Sequence, residues 1–211
     1  MNTTPTETEL QFGTEPLAHP DNILWMDVES NGLADMDGFA PLELAAIITD
    51  KDFNELAVLA PVLFDASEEV LSAMVPFVVN MHTKTGLLNR LATEKVHSYA
   101  EVDRILSEFI APYFPAKGSI VDGVKYRGTV LGGNSPAGVD LPVLRGFLPT
   151  TSAQCDYRTL DVSAVGEFIK RVNRRAFDEM PVKTSDHTAL HDIKECLREV
   201  RYYRDSAVTP F

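Results

Sequence analysis

Asp27-Val28-Glu29 stands at the far end of a short apolar run, Ile23-Leu24-Trp25-Met26. On an extended strand, residues two apart point to the same face, so these two carboxylates can meet at one point. Paired oxygen ligands of this kind suit hard divalent cations such as Mg²⁺, which keep open positions for phosphate and water. Two such ions about 4 Å apart can stabilise both the attacking and the leaving oxygen of a phosphodiester displacement. A DxE triplet alone is common on protein surfaces, but this one follows residues that are nearly all apolar, where an exposed strand would alternate. Asp140 lies just after a Gly/Ser loop at a helix start, and Asp192 lies in the last helical stretch. His187 precedes Asp192 by five residues, at or before the start of that helix. An imidazole titrating near pH ~6.5 can act there as a general base on water. Taken singly, His187 reads better as a solvent-exposed helix-entry histidine and Asp192 as a simple surface acid.

The elements that must position these groups follow from periodicity. Residues 1–20 are polar, rich in Thr, Pro and Glu, and without periodicity, which predicts a flexible tail ahead of one domain over 21–211. Residues 23–29, 42–49 and 55–62 read as three strands of an antiparallel meander, with Glu43 the single acid in the second. Residues 68–90 are helical in pieces, interrupted at Pro76. Ser98 with Glu101 forms a capping box at the start of an amphipathic helix over 98–111. Val124 to Gly132 reads as one strand, Asp140 to Phe147 as the start of a helix, Tyr157–Leu160 as a short strand, Val162–Arg175 as a helix, and 188–204 as a basic final helix. Alternating strands and helices define an α/β fold.

Bulk properties narrow the class. The chain has 211 residues and a formal charge of −12, which disfavours a protein that coats long nucleic acid through a broad basic face. The charge is uneven: residues 1–80 hold fifteen acids against Lys51, while residues 157–204 hold ten Lys or Arg against eight acids. An acidic half could hold cations while the basic half meets phosphates, although a solvated acidic surface explains the same numbers. Cys155 and Cys196 form no CxxC motif, so neither a disulfide framework nor a zinc site is expected. No run approaches the ~18 apolar residues of a membrane span, and no secretory signal layout opens the chain. A reducing cytoplasmic setting is expected.

In combination these residues resemble the DEDDh 3′→5′ exonucleases, the oligoribonuclease branch in particular, from about Asn22 to Arg204. NILWMDVESNGL resembles the first exonuclease motif, GGNSPAGVDLPVLRGFLP the second, and HTALHDIKECLREVRYYRD the closing one. The resemblance implies an RNase H-like fold with a five-stranded mixed sheet flanked by helices. It makes Asp27, Glu29, Asp140 and Asp192 the ligands of two Mg²⁺ or Mn²⁺ ions and His187 the general base. It implies release of nucleoside 5′-monophosphates from the 3′ end of single-stranded RNAs of two to five nucleotides, and a homodimer. DYRTLDVS resembles the segment that reaches across such a dimer to cap a 5′-phosphate, giving that role to Tyr157 and Arg158, with Ser135 and His82 completing the cap. A guanidinium suits the task because it grips phosphate bidentately. Leu33 would wedge between bases, and Phe77 takes the place of an aromatic that stacks on one. Without the resemblance, Leu33 and Phe77 read as core residues, His82 as a loop histidine, and Tyr157-Arg158 as dimer contacts.

The chain departs from the family pattern at three places. The loop from Ser135 to Asp140 is one residue longer and carries Pro136. Ser30-Asn31 replaces the usual pair beside the turn. Lys117–Thr129 is longer and more polar. Two rival functions remain: a DEDDh exonuclease acting on longer single-stranded DNA or RNA, and a non-catalytic nucleotide-binding protein on the same scaffold.

Overall fold

A computed structural model describes residues 18–184 and 186–206. Most of the stretch expected as a tail lies outside the described residues. The first strands are β1 (Ile23–Ser30), β2 (Pro41–Thr49) and β3 (Glu55–Phe64), and they form the expected antiparallel meander. Three short helices follow: α1 (Glu68–Ser72), α2 (Pro76–Lys84) and α3 (Leu87–Thr93). Pro76 opens α2 at its first turn, where a missing N–H costs nothing. Next come β4 (Val96–His97) and α4 (Tyr99–Ile110), the latter entered through the Ser98–Glu101 capping box that the sequence predicts.

The segment expected as one strand over Val124–Gly132 is divided. It holds β6 (Val124–Lys125), which pairs with β5 (Ile120–Val121) just upstream in a small hairpin, and then runs into β7 (Thr129–Gly133). Gly128 separates them with φ +123°, and a Cβ there would lie 2.5–2.9 Å from the backbone of Gln154, Cys155 and Asp156. Only glycine fits so close a backbone crossing. The remaining elements are α5 (Asp140–Phe147), α6 (Pro149–Gln154), β8 (Cys155–Asp161), α7 (Val162–Val172), α8 (Arg174–Asp178) and α9 (Ala189–Ser206). The helix expected over Val162–Arg175 breaks at Asn173, whose side chain accepts a hydrogen bond from Ala176 N–H and caps α8.

The main sheet runs β4-β3-β2-β1-β7-β8, with β7 and β8 parallel to β1. It has six strands where five were expected, because the two-residue β4 adds itself parallel to the end of β3. Helices cover both faces. Leu24, Met26 and Val28 of β1 pack with Val102, Leu106 and Ile110 of α4 and Val143 and Leu144 of α5. Trp25, Ala45 and Ile47 pack on the other side against Ile193, Cys196, Leu197 and Val200 of α9. Burial on both faces explains why β2 is apolar almost throughout.

The basic character of the C-terminal region is used within the protein. Lys170, Arg171, Arg174, Arg175 and Arg198 pair with carboxylates three or four residues away on their own helices. Arg201 and Arg204 reach back to the Phe53 and Asp52 carbonyls and clamp α9 onto the β2–β3 turn. The expectation that this basic half meets phosphates is therefore not supported for these residues, whose cations are already engaged. Among the described residues no helix is long and apolar enough to cross a membrane. Both cysteines are buried and free.

Gly132 sits directly against Trp25, and a Cβ there would fall 2.7–2.9 Å from three ring carbons of the indole. The ring is fully buried and its Nε1 donates to Thr49 Oγ1 at 2.9 Å, so it cannot retreat. Gly132→Ala is expected to destabilise the protein by about 1–3 kcal/mol through overpacking. Urea unfolding measures this, and a midpoint equal to that of the parent would contradict it.

Candidate active site

The site forms where two strands part. Parallel pairing of β1 with β7 runs through Ile23–Val130 and Leu24–Leu131 and ends at Trp25–Gly132. Beyond that point a crevice opens between the strand ends, the usual place for a ligand in an open α/β sheet. Asp27 and Glu29 alternate with Met26 and Val28, so they share the face of Trp25 that α9 covers. Asp192 lies in the first turn of α9 and projects toward them. Asp27, Glu29 and Asp192 bring carboxylate oxygens within 4.8 Å of one another.

Asp140 enters from the opposite layer, as the first residue of α5. Its carboxylate accepts a hydrogen bond from Val28 N–H, in the stretch of β1 that β7 no longer pairs. A buried backbone donor has to find a partner, and Asp140 supplies it.

Electrostatics mark this cluster as a cation site. Burial first, then the charges of Asp192 and Glu43, push the Asp27 carboxyl up to about 7. Burial, followed by Asp27, Asp192 and Glu43, pushes Glu29 up to about 8. Asp140 is raised well above the usual carboxylate range by burial and then by Asp27. Lys183 lines the crevice, but its ammonium is paired with the buried Glu199. Clustered oxygen donors whose charge is otherwise suppressed fit hard divalent cations, which favour the ionised form of every carboxylate they touch.

Histidine placement differs from expectation. His187 lies two residues before α9, exposed, with a left-handed backbone (φ +56°), in a shallow cavity with Met81, Lys84 and Thr85. It does not line the acidic crevice. His82 is 0% exposed, its Nε2 donates to the Ser30 carbonyl at 2.8 Å, and its Nδ1 faces Glu29 Oε2 at 3.9 Å. A phosphate cap needs an accessible ring edge, and His82 offers none; it is a neighbour of Glu29 instead. Burial lowers its pKa, opposed by the bond to Ser30 and the charge of Glu43, and this favours a neutral ring whose Nδ1 lone pair faces Glu29.

The other anticipated contacts fall into two groups. Leu33 is 71% exposed and Phe77 74% exposed, so neither is a core residue. They line a groove of about 600 Å³ with Val28, Met36, Met81 and Val139, and Glu29 forms its end wall, joining it to the acid cluster. Ser135 has a left-handed backbone and its N–H donates to Asp161 Oδ1 at 3.1 Å. Tyr157 and Arg158 lie exposed on β8, with the guanidinium over the Tyr157 ring, and line neither the crevice nor the groove.

Sequence reasoning gave no role to Glu43, Arg90, His191 or Lys183. Glu43 stands opposite Glu29 in the β1–β2 register, almost fully buried, with its carboxylate paired to Arg90. A lone acid in a strand buried on both faces was the available signal. His191 packs beside Asp192, with Nδ1 3.8 Å from Asp186 Oδ2. Lys183 carries no local signal, since only the fold of the loop before α9 brings it to the crevice.

The exonuclease family RNase_T matches residues 24–200. An oligoribonuclease from Francisella tularensis subsp. novicida is 34% identical over 190 residues, covering 90% of this chain and 97% of the relative. One from Nocardia farcinica is 34% identical over 185 residues, covering 88% and 80%. Among solved structures, exonuclease I from Methylocaldum szegediense superposes with a TM-score of 0.62 at 18% identity over 88% of this chain. E. coli exonuclease I in complex with an oligonucleotide gives 0.63 at 19% identity over 88% of this chain. The chain spans 40% and 41% of the length of those two structures, whose likeness shows the RNase H-like fold. The chain belongs to the RNase_T exonuclease family and, within it, to the oligoribonucleases.

The raised carboxyls give the metal-free protein a defined pH response. Folded Asp27 and Glu29 keep protons up to about 7 and 8, whereas the unfolded groups release theirs near 3.8 and 4.5. The folded state therefore binds more protons between these limits, and stability falls as pH rises from about 4 to about 8. In EDTA the melting temperature should decline by several degrees across that window. Added Mg²⁺ or Mn²⁺ should raise it more at pH 8 than at pH 5. A flat profile in EDTA, unchanged by metal, would contradict the assignment of these carboxyls.

Proposed function

We propose that this protein is a metal-dependent 3′→5′ exoribonuclease that hydrolyses short oligoribonucleotides, down to dinucleotides, to nucleoside 5′-monophosphates. The observation that carries this reading is the junction of the Asp27–Glu29–Asp192 cluster with the apolar groove at Glu29. A scissile phosphate at the cluster leaves the adjoining bases in the groove, with Phe77 exposed for stacking and Leu33 as a wedge between them. Base–aromatic stacking is worth roughly 1–3 kcal/mol per base.

Asp27, Glu29, Asp140 and Asp192 hold two Mg²⁺ or Mn²⁺ ions in this reading. The ions supply Lewis-acid stabilisation of the attacking and departing oxygens. His187 accepts the proton of the attacking water in this reading, moving in from its exposed position before α9. The bond from phosphorus to the 3′-oxygen breaks, a nucleoside 5′-monophosphate leaves, and the shortened strand keeps a free 3′-hydroxyl. His82 packs beside Glu29, and Arg90 neutralises Glu43 behind it.

The reading includes a homodimer. Tyr157 and Arg158 lie away from their own crevice, which suits a contribution to the 5′-phosphate site of a neighbouring copy, with Ser135 on the receiving side. It also includes a reducing cytoplasmic setting, in keeping with two free buried cysteines.

Two measurements test the proposal. Labelled RNAs of two to twenty nucleotides, followed over time in Mg²⁺ and in Mn²⁺, should show fast cleavage of the dinucleotide and slow trimming of the 20-mer. Equal or faster attack on the 20-mer would favour a general single-strand exonuclease. Asp192→Ala should abolish metal-dependent turnover with the fold intact, and His187→Ala should lower kcat by about 10²–10⁴-fold. Near-normal turnover of Asp192→Ala would refute the mechanism.

A further inference from the structure

Residues 182–184 lie against α9 just ahead of His187, and the helix grips them with one stripe of side chains. Thr184 N–H donates to Glu195 Oε2 at 2.9 Å, and Arg198 Nη2 donates to the Val182 carbonyl at 2.8 Å. His191 Nε2 donates to the Thr184 carbonyl. Between these contacts the Lys183 ammonium pairs with the buried Glu199 carboxylate. Positions 191, 195, 198 and 199 recur at the three- and four-residue spacing of one helix face. Asp192 falls on the same face, three residues before Glu195 and seven before Glu199.

Polar contacts, not apolar packing, hold this stretch. Val182 is 84% exposed, so its side chain buries little. A buried carboxylate such as Glu199 needs a cationic or hydrogen-bonding partner, and Lys183 supplies it from the neighbouring segment. Lys183 and Glu195 also line the acidic crevice beside Asp27 and Asp192, so the anchor abuts the metal cluster. His187 follows three residues after Thr184, and three residues reach at most about 11 Å. On its other side Thr188 N–H donates to Asp186 Oδ1 at 3.1 Å, and the Thr188 carbonyl accepts from Asp192 N–H at 3.0 Å. The histidine is therefore tethered to α9 at Thr184 on one side and at Thr188 on the other. Its cavity meets the apolar groove at Met81, which lines both and gives the ring a path toward the groove.

We propose that Lys183, Glu195 and Glu199 are positioning residues for the hydrolysis. They anchor the chain ahead of His187 to the face of α9 that carries Asp192, so one helix sets both a metal ligand and the reach of the base. None of the three touches a reacting atom in this role. The inference rests on the reading of His187 as general base. Anchoring matters because a catalytic group misplaced by about 1 Å can cost on the order of 10²-fold in rate.

The test is a set of double-mutant cycles on the full-length protein, with a dinucleotide substrate in Mg²⁺. E195A removes the acceptor of Thr184 N–H and K183M removes the cation; each should lower kcat by about 10–100-fold with KM within about twofold of the parent. E195Q keeps an oxygen for the same N–H and should recover kcat to within about threefold. In a His187→Ala background, E195A and K183M should cost less than about twofold further, because residues that act through one group lose their effect once it is gone. Calorimetric titration with Mn²⁺ should show affinities within about threefold of the parent, well short of the 10–100-fold cost of a disturbed ligand shell. Circular dichroism and melting temperature check each fold, and if K183M does not fold, the E195A and E195Q pair carries the test. A full loss persisting in the His187→Ala background, or parent-like kcat in folded E195A, would overturn the proposal. So would a raised KM at unchanged kcat, because these side chains would then hold substrate. Failure of the base reading shows separately, as parent-like turnover by His187→Ala alone, and takes the proposal with it.

Discussion

Glu29 and Asp140 are buried and Asp27 half-buried, within range of one another's charge, and Asp192 closes the cluster from α9. Left to itself, such a group holds protons in place of charge, at a free-energy cost that the rest of the fold must offset. A divalent cation reverses the balance, because each carboxylate then gains from ionisation what it loses in repulsion. Much of the architecture near the crevice serves this cluster. The early end of β1–β7 pairing opens the space, Gly132 lets its strand approach Trp25, and Arg90 neutralises Glu43 behind Glu29.

The sheet delivers these groups from two layers at once. Alternation on β1 puts Asp27 and Glu29 on the α9 face, while Asp140 comes from α5 on the other face and meets them only past the strand end. The last helix is held by side chains remote from chemistry: Arg201 and Arg204 bind the β2–β3 turn, and Tyr202 donates to the Ala176 carbonyl at 2.8 Å. These anchors fix the rotation of α9 and hence the direction of Asp192. Most basic residues in this region therefore pair within the protein and hold α9 in place.

Strands β1 to β3, the capping box of α4 and the start of α5 were all legible, because each rests on local periodicity or on a side chain bonding to its own backbone three residues on. The acid set was legible for a related reason: Asp27 and Glu29 are two apart on a strand, and their apolar lead-in shows that the strand is buried. Boundaries failed where a single backbone crossing decides them. Gly128 divides a stretch that reads as one strand, and its cause, the backbone of Gln154 to Asp156, lies about 26 residues away.

Residue types and spacing by themselves determined the α/β class, the carboxylate pair on β1, and the further acids and histidine at the ends of later helices. Tertiary structure alone decided how those groups meet. It left His187 exposed before α9, sealed His82 behind Glu29, exposed Leu33 and Phe77 along a groove, and drew Lys183 and Glu43 to the cluster. The reason is physical: a side chain's type and its neighbours along the chain fix which face of an element it occupies, but exposure and charge environment depend on which other element covers that face.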